Sequence, residues 1–88
     1  MLRRVVGASM LPSLRPGQII YVRRWRYVPK VNDIIMVKHC GLEKVKIITA
    51  VESDGVYVVG DNTDASTDSR HFGVVPFAMV IGKVFKLR

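Results

Sequence analysis

Cysteine is nearly absent from this 88-residue chain, where Cys40 stands alone. A lone cysteine excludes an internal disulfide framework and a multi-cysteine zinc site, and Cys40 reads as a half-buried small side chain rather than a nucleophile. Long apolar runs are also missing. The longest, Val74 to Ile81, is broken by Pro76, whereas a bilayer-spanning helix needs about 20 consecutive apolar residues. The chain reaches Ser9 too soon for the apolar stretch of a secretory signal to precede it. Helical periodicity is poor throughout. Acidic residues are scarce, 7 against 14 lysines and arginines, for a formal charge of +7.

What remains is a strand-and-turn pattern. Short runs rich in Val, Ile and Tyr at 18–22, 33–38, 45–51 and 56–60 predict β-strands, and 80–87 predicts a closing strand with Gly82 as a bulge. Arg15-Pro16-Gly17, the stretch from Pro29 to Asn32, and Ser53-Asp54-Gly55 supply turns between them. The segment from Met10 to Leu14 has room for one helical turn, with Pro12 tolerated near its start. The pattern predicts a single all-β domain over residues 1–88, without repeats or linkers.

Charge and loop length single out three places. Residues 1–46 carry ten basic and two acidic side chains, residues 47–88 four and five. The basic half is densest at Arg23, Arg24, Trp25, Arg26 and Tyr27, which reads as a solvated turn with Trp25 lying on the core, or as a binding patch. Two segments break the strand rhythm: the one from Gly7 to Leu14, and a polar loop bracketed by Gly60 and Gly73. A loop that long in a compact chain is functional or disordered, and its Asp, Asn, Ser and Arg content favours order.

A serine becomes a nucleophile only beside a base, usually His or a lysine whose pKa burial has lowered. His39 and His71 lie in no triad-like pattern. Lys44 and Lys46 enter an apolar strand, and alternation places Lys44, Lys46 and Ile48 on one face. Lys46 falls where that strand becomes buried, so desolvation would weaken its hold on a proton and suit it to general-base work.

The segment Gly7-Ala8-Ser9-Met10-Leu11-Pro12-Ser13-Leu14 resembles the nucleophile box of type I signal peptidases. Asn32-Asp33-Ile34-Ile35-Met36-Val37 and Val45-Lys46-Ile47-Ile48 resemble that family's next two boxes, with Asn32 replacing a glycine and Ile47 an arginine. Gly60-Asp61-Asn62 and Ser66-Thr67-Asp68-Ser69-Arg70-His71-Phe72-Gly73 match its last box. Within the superfamily, the stretch from Ala65 to Arg70 and the turn from Ser53 to Tyr57 are most similar to the small proteases that mature nickel-type superoxide dismutase. The resemblance implies a small fold of mostly antiparallel coiled strands, like that of signal peptidases and the self-cleaving SOS repressors. It also implies a serine endopeptidase that removes an N-terminal leader or signal peptide, needing no cofactor or metal. Ser9 would be the nucleophile and Lys46 the general base. Ser66 would orient Lys46, Asp68 and Arg70 would pair to fix the loop, and Asp61 would support it. The Ser9 N–H would donate to the oxyanion, since Gly7 stands where some members carry a hydroxyl. Met10 and Leu11 belong either to the core or to the substrate groove, whose pocket would take small residues such as alanine.

The partner implied is a protein with a cleavable N-terminal peptide. The remaining charge, chiefly Arg3, Arg4 and Arg23 to Arg26, reads as a docking surface for an acidic partner or a membrane, and nucleic acid is not expected. A cytoplasmic enzyme without an anchor is expected. The alternatives are the core of a membrane signal peptidase separated from its anchor, which would be membrane-associated, and a basic β-domain that binds nucleic acid.

Overall fold

The computed structural model describes residues 1–62, 64 and 66–87. Its strands are β1 (Leu2–Arg4), β2 (Ile19–Arg23), β3 (Ile34–His39), β4 (Leu42–Val51), β5 (Gly55–Val59), β6 (Val75–Pro76) and β7 (Val80–Lys86), with a one-turn helix α1 (Ser69–Phe72). They form one sheet of order β1-β2-β7-β3-β4-β5-β6, every pair antiparallel. The all-β expectation holds.

Burial follows from each strand's place in that order. On β2, Ile20 and Val22 point inward while Ile19, Tyr21 and Arg23 face out, the alternation of a strand covered on one side. On β3, Ile35, Met36 and Val37 are all buried, so both faces of the central strand are covered. One face places Met36 with Val5, Met10, Leu14, Ile20, Val22 and Val84. The other places Ile35 and Val37 with Ile48, Val56, Val58 and Val75. The two cores are separated by β3, and the sheet coils around both.

Two register shifts aid that coiling. Between β3 and β7, Met36 pairs with Gly82 and Val37 with Val80, so the bulge in β7 falls beside Gly82 as its sequence position predicts. A Cβ at Gly82 would lie 2.1 Å from the Arg23 carbonyl oxygen on β2; only glycine permits that approach. A second shift interrupts β4 between Ile48 and Ala50.

Several local expectations change. The stretch from Met10 to Leu14 does make a turn, with the Leu14 N–H donating to the Met10 carbonyl at 2.9 Å. However, β4 begins at Leu42 and is joined to β3 by a tight hairpin whose tip, Cys40-Gly41, has φ of 51° and 77°. Cys40 is therefore exposed, not half-buried, because it sits at the tip of a two-residue turn. Trp25 is 70% exposed rather than lying on the core. It follows the end of β2, and its ring packs under the Arg26 guanidinium at 4.4 Å. Strands β1 and β6 and helix α1 are too short for periodicity to reveal. No described helix is long and apolar enough to cross a membrane.

Candidate functional site

Ser9 lies in the turn region that follows β1, just before the buried pair Met10 and Leu14. This turn is held by the segment leaving β5. The Asn62 N–H donates to the Ser9 carbonyl at 2.8 Å, and Asn62 Nδ2 donates to the Ala8 carbonyl at 3.0 Å. One residue earlier, Asp61 Oδ2 accepts from the Ser13 N–H at 3.1 Å and from the Ser13 hydroxyl. Asp61 therefore supports the turn that carries Ser9 rather than the distal loop. Gly60 sits at the crossing point: a Cβ there would lie 2.2 Å from Ser66 Oγ and 2.7 Å from the Ser9 carbonyl oxygen. Any side chain at position 60 would push these two segments apart.

The polar loop is ordered around Asp68, which is wholly buried. Asp68 Oδ1 accepts from the Arg70 N–H at 3.1 Å and from Arg70 Nε at 2.9 Å. Asp68 Oδ2 accepts from the Gly60 N–H at 2.9 Å, Ser66 Oγ at 2.8 Å and an Arg70 terminal nitrogen at 3.0 Å. Asp68 also caps α1, with His71 Nδ1 accepting from the Asp68 N–H. Burial pushes its carboxyl up, but the Arg70 guanidinium and the N–H and hydroxyl donors outweigh burial and hold it well below the usual carboxylate range. The loop is joined to β5 by the Val58 N–H, which donates to Ser69 Oγ at 2.8 Å. Thr63 and Ala65 of this loop lie outside the described residues.

Lys46 reaches the loop from β4. It is 3% exposed, on the same strand face as Ile48. Its Nζ donates to Ser66 Oγ at 2.8 Å, and that hydroxyl passes its own proton toward Asp68. The hydroxyl is thereby fixed with a lone pair facing the amine. Burial pulls the Lys46 pKa down, Asp68 opposes it, and Lys44 and Arg70 add to the lowering; the net direction is down.

Ser9 and Lys46 line one cleft of about 360 Å³, walled by the chain from Arg3 to Met10 on one side and from Glu43 to Lys46 on the other. A wider depression of about 600 Å³ between the Arg15–Ile19 turn and Leu87 is lined by neither Ser9 nor Lys46. Of the residues singled out in sequence, Ser9, Lys46 and Met10 border the cleft, and Ser66, Asp68 and Arg70 form a chain of contacts behind Lys46. Met10 is also a core residue. Leu11, half-buried, is not among the described residues lining the cleft. Sequence reasoning assigned no role to Asn62, Ser13 or Gly60, although all three lie in motifs it quoted; their contacts link residues about fifty positions apart.

Known proteins resemble this chain over much of its length. Residues 40–87 match the family described as signal peptidase, peptidase S26. Signal peptidase I of Bacillus caldolyticus is 40% identical over 90 residues, covering 93% of this chain and 50% of that protein. Mitochondrial inner membrane protease subunit 1 of Xenopus tropicalis is 47% identical over 83 residues, covering 82% and 48%. The human protein of that name is 37% identical over 68 residues, covering 65% and 40%. The chain thus spans half or less of these relatives. The matched stretch contains Lys46 and the whole Asp68 network, it takes in more than half of the chain, and on that ground this protein belongs to the signal peptidase, peptidase S26 family.

Proposed function

We propose that residues 1–88 form a catalytic domain whose Ser9 and Lys46 act as a serine–lysine dyad, removing an N-terminal leader from a protein substrate. The observation that carries this reading is the buried amine of Lys46, 3% exposed and held by Ser66 in the cleft that Ser9 also lines. Neutral Lys46 takes the Ser9 proton as Oγ bonds to the scissile carbonyl carbon. The C–N bond then breaks, and the lysine returns that proton to the leaving amine. Lys46 then takes a proton from water as its oxygen bonds to the ester carbon, the Ser9 Oγ–C bond breaks, and Lys46 returns the proton to Ser9 Oγ. No metal or cofactor enters these steps.

The strand edges suit an extended substrate. β1 lies at one end of the sheet, and β4 pairs with β5 only from Ile47 onward. The edges bordering the cleft can therefore pair with a peptide added as a strand. The likeness of the stretch from Ala65 to Arg70 to the maturation proteases favours the nickel-type superoxide dismutase precursor as substrate. A second reading, the core of a type I signal peptidase acting at a membrane, is favoured by the similarity to signal peptidase I over 93% of the chain. For that reading Trp25, with Arg23, Arg24 and Arg26 around it, would lie at the headgroup layer.

The test is cleavage of both kinds of precursor by wild type, Ser9→Ala and Lys46→Ala. Loss of at least about 1,000-fold in each variant, with unchanged thermal unfolding, is expected. Cleavage surviving in either variant would remove the dyad. Preference for one precursor separates the two substrates.

A further inference from the structure

The cleft that holds Ser9 and Lys46 ends at an ion pair. It is lined by residues 3–10 and by Glu43 to Lys46, and the four successive antiparallel pairings from β1 through β2, β7 and β3 leave β4 running in the same direction as β1. At the far end Arg3 Nε lies 2.8 Å from Glu43 Oε1, and a terminal guanidinium nitrogen lies 3.4 Å from Oε2. These residues belong to β1 and β4, which are not neighbours in the sheet, so the pair bridges the opening. Both side chains are partly solvated, 42% and 36% exposed, and a solute can reach them.

Charge around the pair is unbalanced. Glu43 is the one carboxylate among the described residues that line the cleft, against Arg3, Arg4 and Lys44 as well as Lys46. Glu43 also lies in the field of Lys38 and Arg24. Arg4 donates to the Gly17 carbonyl at 3.3 Å, and Lys44 Nζ lies 3.3 Å from His39 Nδ1. Neither contact brings a compensating negative charge.

We propose that Glu43 holds the place of a substrate carboxylate: an extended peptide presents Asp or Glu to Arg3, displaces Glu43, and is selected for an acidic residue three or four positions from the cut. This rests on the reading of Ser9 and Lys46 as the reacting pair. The spacing follows from strand geometry. Glu43 precedes Lys46 by three residues, about 10 Å at roughly 3.3 Å per residue, and a peptide alongside β4 advances at the same rate; by alternation Glu43 and Lys46 lie on opposite faces of β4, so the substrate carboxylate is presented on the face that Glu43 and Arg3 share. A substrate carboxylate meets an excess of cations there, while a substrate cation meets repulsion from Arg4 and Lys38.

The experiment uses the full chain and peptides that differ only by Asp, Asn or Lys at each position within five residues of the cut. Both kcat/KM and binding to Ser9→Ala, by fluorescence anisotropy, are measured. Asp is expected to exceed Asn about two- to fivefold at one register, three or four residues from the cut, and the advantage should shrink as salt rises. Glu43→Gln should widen the Asp-to-Asn ratio and Arg3→Gln should reduce it to one, each ratio being taken within a variant so that overall losses cancel. Equal binding of the peptides, or a ratio unmoved by both substitutions, overturns the proposal. An Asp preference in binding without any cleavage by wild type would leave the charge selection standing and remove the serine–lysine reading.

Discussion

Lys46 is where burial and charge oppose each other most directly. Its strand position removes water, which disfavours the ammonium, while Asp68 two contacts away favours it; burial prevails. Activity should therefore rise with pH through a value below that of an ordinary lysine, about 10.4, in a pH–rate profile of peptide hydrolysis. Lys46→Arg keeps the charge but cannot release a proton near neutrality, and is expected to abolish cleavage across the profile. Ser66→Ala removes the acceptor that fixes the amine. A fall in kcat of about tenfold at nearly constant KM is expected, the worth of one buried hydrogen bond. Gly60→Ala tests the crossing point differently. Its methyl would meet Ser66 and the Ser9 carbonyl, so thermal unfolding should show destabilisation of about 1–3 kcal/mol, the usual cost of overpacking, along with lost activity.

Among the elements, the loop from Gly60 to Gly73 has Asp68 as its hub. Asp68 joins β5, Ser66, α1 and Arg70, so its ionisation is coupled to the whole loop. Because its folded carboxyl is held below the ordinary value of about 3.9, its contribution to stability is complete above that pH and is lost as pH falls toward the lowered value. Asp68→Asn is expected to cost about 3 kcal/mol at neutral pH, the lower end for breaking a buried pair, because Arg70 is 38% exposed. Denaturant unfolding between pH 3 and 7 should show the wild-type advantage over this variant shrinking at the acid end. The seam between β2 and β7 depends in turn on Gly82, and Gly82→Ala should weaken it through the collision with the Arg23 carbonyl.

In the molecule as a whole, β3 is the common wall of two apolar cores. Neither core can open without exposing it, so the amides of Ile35 to Val37 should exchange hydrogen only on global unfolding. Amides of β1 and β6, short strands at the two ends of the sheet, should exchange much sooner. Native-state hydrogen exchange resolved by residue would detect both, and early exchange in β3 would show that the cores open separately. The basic first half is also partly resolved into local pairs. Arg3 is matched to Glu43, and Lys83 Nζ from the second half reaches Asp33 Oδ1 at 3.5 Å. Arg23, Arg24 and Arg26 flank the exposed Trp25 along the chain, and Arg26 lies over its ring.

Strand content, most turns, the Gly82 bulge and the ordered polar loop were legible from residue order alone, because alternation, glycine freedom and Asx chemistry act between near neighbours. Ser9, Lys46, Ser66, Asp68 and Arg70 could be named for the same reason, as members of short motifs. Their assembly depends on packing across the chain. Lys46 is dry because the distant polar loop covers its strand face, Asp61 braces Ser13 rather than the loop it belongs to, and Asn62 holds the backbone of Ala8 and Ser9. Trp25 and Cys40 show the limit from the other side: an aromatic ring and a thiol suited to burial end up exposed, since each sits on a turn beyond the end of its strand. The Arg3–Glu43 bridge joins residues forty positions apart on strands that never pair. Only the coiling of the sheet brings them across one cleft, because burial and long-range charge contacts depend on what lies opposite in space, and no local pattern records that.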